Sequence, residues 1–83
     1  MKTIAYKGHN IQIQEMSLTG VEKVLYDGKQ VSFKRTMTGG THIFTVKEDG
    51  EDVVYEVEIG LRWHGFTSWS VVRRNGVVIY SDR

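Results

Sequence analysis

The sequence predicts an all-β fold: an antiparallel eight-stranded β-sandwich or flattened barrel built from consecutive hairpins, one domain over residues 1–83. Three observations carry this. Val53, Tyr55, Val57, Ile59, Leu61 and Trp63 alternate with Val54, Glu56, Glu58, Gly60 and Arg62. Successive strand side chains point to opposite faces, so this segment has one apolar and one mostly wet face. Asp27-Gly28, Asp49-Gly50 and Asn75-Gly76 are hairpin dipeptides, whose residues tolerate the positive φ of primed turns. No window sustains apolar residues at helical spacing.

Turn signals punctuate the chain at Gly8-His9-Asn10, 17–20, Asp27-Gly28, Thr38-Gly39-Gly40, 48–51, His64-Gly65 and Asn75-Gly76. They leave eight runs, 2–7, 11–16, 21–26, 29–35, 41–47, 52–63, 67–74 and 77–82, most of them rich in β-branched and aromatic residues. Short turns make chain neighbours antiparallel. Eight strands at this size must close into two layers or a barrel, and alternation alone does not separate the two. The expected core is Ile4, Tyr6, Ile11, Ile13, Leu25, Val31, Phe33, Phe44, Val46, Tyr55, Val57, Ile59, Leu61, Trp69, Val71 and Ile79. In run 21–26 the inward face is open, since Val21, Lys23 and Leu25 compete with Glu22, Val24 and Tyr26. Run 53–63 would span ~36 Å if straight, against a domain about 30 Å across, so a bend is expected at Gly60. The tripeptides Asp27-Gly28-Lys29, Asp49-Gly50-Glu51 and Asn75-Gly76-Val77 read as hairpin chemistry. With no proline in the chain, edge protection falls to outward Lys, Arg and Glu.

Composition narrows the function classes. The chain has no cysteine, so disulfides and thiolate metal sites are excluded, and a reducing, cytoplasmic location is expected. The N-terminus lacks the apolar run of a signal peptide, and no stretch approaches the ~20 apolar residues of a membrane span. A net charge of +1 argues against a dedicated nucleic-acid binder. Six acids crowd into residues 48–58, between Lys34-Arg35 and Arg62, Arg73 and Arg74, as expected of solvated hairpin tips and cross-strand ion pairs.

Catalytic and metal signatures are missing. His9, His42 and His64 lack HxH or HExxH spacing and are expected as exposed loop residues, with no metal and no cofactor. Ser32, Ser68 and Ser70 sit in no nucleophile elbow. Glu56 and Glu58 share a strand face, where a screened pair is the default. The unusual chemistry lies at one end. Arg62, Trp63, His64, Phe66 and Trp69 combine aromatic and cationic groups about Gly65, with Arg73 and Arg74 on the following strand. Such a set stacks bases or sugars, or else Trp63 and Trp69 are core residues closing the end of the sandwich.

The succession Ile11-Gln12-Ile13-Gln14, Val24-Leu25-Tyr26-Asp27-Gly28-Lys29-Gln30-Val31, Tyr55-Glu56-Val57-Glu58-Ile59, Gly65-Phe66 and the Asn75-Gly76 hairpin resembles the Fas apoptosis inhibitory molecule family over about residues 11–83. The resemblance implies a compact antiparallel β-sandwich working through protein contacts, with no catalytic residues to carry over. Val77 stands where that family has a lysine. The expectation is a non-catalytic module, monomeric or weakly dimeric, that binds another protein through strand edges and the aromatic end loop. A nucleic-acid-binding small β-barrel is the alternative, and a small-ligand binder the second. No membrane association is expected.

Overall fold

The computed structural model describes residues 1–15, 20–36, 39–62 and 67–83. It is an all-β sandwich of two four-stranded antiparallel sheets. The first holds β1 (Lys2–Tyr6), β2 (His9–Gln14), β3 (Val21–Tyr26) and β4 (Lys29–Arg35) in chain order. The second holds β5 (Gly39–Glu48), β6 (Glu51–Leu61), β7 (Ser68–Arg74) and β8 (Val77–Ser81), again in chain order. The sheets stay separate, with edges β1, β4, β5 and β8, which decides for a sandwich over a barrel. Among the described residues no helix is long and apolar enough to cross a membrane.

The two sheets repeat one design. Each has a two-residue turn, a longer connection, then a second two-residue turn. The first residue of every two-residue turn has positive φ: Lys7, Asp27, Asp49 and Asn75, each followed by glycine. The first turn therefore sits at Lys7-Gly8, one residue before its expected place, and His9 already belongs to β2. The later turns share a further device. Asp27 N–H donates to the Asn10 carbonyl and Asp27 Oδ1 accepts from Asn10 N–H, both at 2.8 Å. Asn75 does the same with Val54, at 2.8 and 2.9 Å. The register of β3–β4 slips between Val24 and Leu25, and that of β7–β8 between Val72 and Arg73, so Val31 and Ile79 are the bulged residues. Both pack against the core. Val24, Asp27, Gly28 and Val31 thus correspond to Val72, Asn75, Gly76 and Ile79. The recurring turn tripeptides are part of a structural duplication as well as hairpin chemistry.

The core lies between the sheets, with Ile4, Ile11, Ile13, Val24 and Tyr26 facing Phe44, Val53, Tyr55, Val57, Ile59 and Val72. Tyr55 is centred on it, 5.3 Å from the Phe44 ring and 5.5 Å from that of Tyr26. Several expected core positions differ. In β3 the inward set is Glu22, Val24 and Tyr26, which turns Leu25 to the outer face. Phe33, opposite the outward Lys23, is exposed. Tyr6 and Leu61 are half-buried. Trp69 lies half-buried on the outer face of the second sheet, because β7 turns Ser70, Val72 and Arg74 inward; Val71, on that same face, is buried as expected. The domain is elongated, 41 Å along its longest axis with a radius of gyration of 12.4 Å. β6 therefore runs its 11 residues without a register break at Gly60.

Candidate functional site

The aromatic–cationic set divides once it is placed on the strands. Trp63, His64 and Phe66 lie outside the described residues. Trp69 pairs across the ladder with Gly60, and its indole lies so close over that glycine that an added Cβ would fall 2.1 Å from Cζ2. The Arg83 guanidinium covers the ring from 5.0 Å, a cation–π arrangement. Arg73, on the same outer face, bridges Glu56 and Glu58 at 2.8 and 3.0 Å. The hydrogen bond to Glu58 leads the effects that raise the Arg73 pKa above its ordinary value. On this outer face Ile43, Glu56, Arg73 and Val78 stand in one cross-strand row, an ion pair flanked at each edge by an exposed apolar residue.

Arg74 points the other way, into a buried polar cluster. Its Nη2 donates to Glu48 Oε1 at 2.6 Å, while the Tyr26 and Tyr55 hydroxyls both donate to Oε2 at 2.5 Å. Burial pushes the Glu48 carboxyl up, but these three partners outweigh it and hold its pKa at about 2. Burial and then Glu48 push Tyr55 up to about 12, and Tyr26 is raised by the same causes. The Arg74 guanidinium also lies 5.6 Å from the Tyr6 ring. Arg62 donates to the Asp82 carbonyl at 3.0 Å. The arginines that sequence grouped as one surface are therefore committed to different partners on different faces.

At the edge formed by β1 and β8, Lys2 reaches Glu15 at 3.0 Å, Asp82 at 2.5 Å and Ser70 Oγ at 3.1 Å. Burial alone would lower the Lys2 pKa; Asp82 and Glu15 together raise it. A cleft of about 440 Å³ opens beside it, lined by Met1, Lys2, Ile13, Gln14, Glu15 and Ser68.

Two histidines depart from the expected exposed loop position. His9 stacks on Tyr26 at 5.2 Å and bonds Asp27 at 2.7 Å. His42 is fully buried, bonded to Glu22 and Ser32. Sequence reasoning passed over it because His42 is on β5 and its partners come from β3 and β4, which no local spacing connects.

The strand edges complete the inventory. β1 carries Lys2; β4 carries Lys29, Lys34 and Arg35; β5 carries Lys47 and Glu48. β8, Val77-Val78-Ile79-Tyr80-Ser81, carries no charge, and Val77 and Val78 are 65% and 52% exposed. Searches against protein-family models, curated proteins and solved structures returned no match for this chain.

Proposed function

We propose that the protein is a small non-catalytic binding module that accepts an extended segment of a partner protein along the free edge of β8. The observation that carries this reading is the uncharged, half-exposed β8 edge beside three edge strands that carry Lys or Arg. Charged side chains on an edge discourage further pairing, and β8 lacks them. A partner strand would gain main-chain hydrogen bonds, and its alternate apolar side chains would lie beside the outward, exposed Val78. The bulge at Ile79 and the five-residue length limit the ladder, which suits a transient complex.

Val78→Lys tests this. Val78 is exposed, so folding stability should change by about 0.5 kcal/mol or less. Tagged wild-type protein should retain a partner from host lysate, and hydrogen exchange at the β8 amides should slow in that complex. The variant should lose both effects. Retention unchanged by Val78→Lys, with β8 exchanging as fast as in the free protein, would refute the edge reading.

A further inference from the structure

His42 joins three strands that the sequence keeps apart. Ser32 Oγ lies 2.7 Å from Nδ1, and Glu22 Oε1 lies 2.9 Å from Nε2. Glu22 and His42 are both fully buried. Glu22 Oε2 has no hydrogen-bond partner and is, among the described residues, the one buried side-chain polar atom in that state. Burying a carboxylate and an imidazole with an acceptor left over is a costly way to hold two sheets together, since apolar residues of similar volume would do so at lower free energy.

The order of the groups gives the cluster its chemistry. With the ring proton on Nε2, donated to the Glu22 carboxylate, Nδ1 is the acceptor for the Ser32 hydroxyl. A hydroxyl bonded to a base that is itself oriented by a third group is the arrangement of an activated nucleophile. Ser32, unlike Glu22 and His42, is not fully buried. It sits on the edge strand β4, half-buried, where β4 lies against β5. Ser70 supplies the contrast: its hydroxyl is sealed in the interior and donates to Glu15, and its Lys2 neighbour is held protonated by two carboxylates.

We propose that Ser32 is a covalent acyl-acceptor site, activated by His42 and positioned through it by Glu22, that takes an acyl group from activated esters or thioesters. Ser32 Oγ attacks the acyl carbon while its proton passes to His42 Nδ1. The bond to the leaving alkoxide or thiolate then breaks, and that group takes the proton from Nδ1. The products are an O-acyl ester on Ser32 and a free alcohol or thiol. This inference stands independently of partner binding at β8 and requires no turnover.

The full chain treated with p-nitrophenyl acetate tests it by peptide mapping, and the nitrogen chemical shifts of His42 in the untreated protein test the tautomer. Acetyl on Ser32 and an unprotonated Nδ1 are expected, with no acetyl on that peptide in Ser32→Ala. In Glu22→Gln the amide can donate to Nε2, moving the ring proton to Nδ1. Ser32 acylation should then fall about 100-fold, within the range of general-base catalysis. Acetyl confined to lysines and the N-terminus in the wild type, or a protonated Nδ1, would overturn the proposal whether or not Glu22→Gln folds.

Discussion

Glu48→Ala is expected to destabilise the protein by about 3–5 kcal/mol, the usual cost of removing one partner of a buried ion pair. The change strips the acceptor from two tyrosine hydroxyls and from a guanidinium whose side chain is 19% exposed. At ~4–8 °C per kcal/mol for a domain of this size, the melting temperature should fall by more than about 12 °C. Glu48→Gln keeps an acceptor for the tyrosines and should cost roughly half as much, since a neutral hydrogen bond to Arg74 is weaker than a charged one.

Acid titration isolates the charge. The folded pKa of Glu48, about 2, lies below its ordinary 4.5, so its stabilisation is fully present above pH 4.5 and is lost as pH falls toward 2. At ~1.4 kcal/mol per pH unit this amounts to about 3 kcal/mol. Urea unfolding of wild type and Glu48→Gln at intervals from pH 6 to pH 2 should show the gap between them closing over that window. A gap that stays constant across it would mean that Glu48 does not carry the acid sensitivity. Asp82, also held below its ordinary value, titrates in both proteins and does not disturb the comparison.

The same cluster shows what was legible in the sequence and what was not. The alternation of β6 and the Asp-Gly and Asn-Gly turns depend on local chemistry, so strand number, hairpin succession and the inward Tyr55, Val57 and Ile59 could be read directly. The facing of β3 could not. An apolar count offers Val21 and Leu25 against Val24 and Tyr26, and it cannot foresee that Glu22 turns inward with the latter pair, to bond His42 on a strand of the other sheet. Trp69 misled for a related reason. Its size suggests a core residue, but an indole also buries one face by lying across a cross-strand glycine, and the pairing with Gly60 is a matter of register. The candidate surface fragmented similarly. Arg73 and Arg74 are adjacent in sequence and therefore opposed in space, one on the outer face with two glutamates, the other inside with Glu48. The alternation of a strand is itself enough to separate them.

Gly39→Ala should be the more damaging of two glycine substitutions that face each other across the β5–β6 ladder. Gly39 has a φ of +103°, and a Cβ there would fall 2.4 Å from the Ile59 carbonyl oxygen, a backbone atom held in the sheet. Conformational strain of ~1–3 kcal/mol adds to overpacking of similar size, so a loss of about 3 kcal/mol or more is expected. At Gly60 the obstacle is the movable Trp69 ring, 2.1 Å from the new Cβ, and alanine also restricts the unfolded chain in its favour. Gly60→Ala should therefore cost only about 1–2 kcal/mol. Repeating both in a Trp69→Ala background separates the causes. The cost of Gly60→Ala should disappear there, because the atoms it strikes are gone, while Gly39→Ala should cost as much as before. Urea midpoints followed by circular dichroism measure all six proteins. If the cost of Gly60→Ala persisted without the indole, Gly60 would be required by the backbone, and the indole would lie over it only because the glycine leaves room.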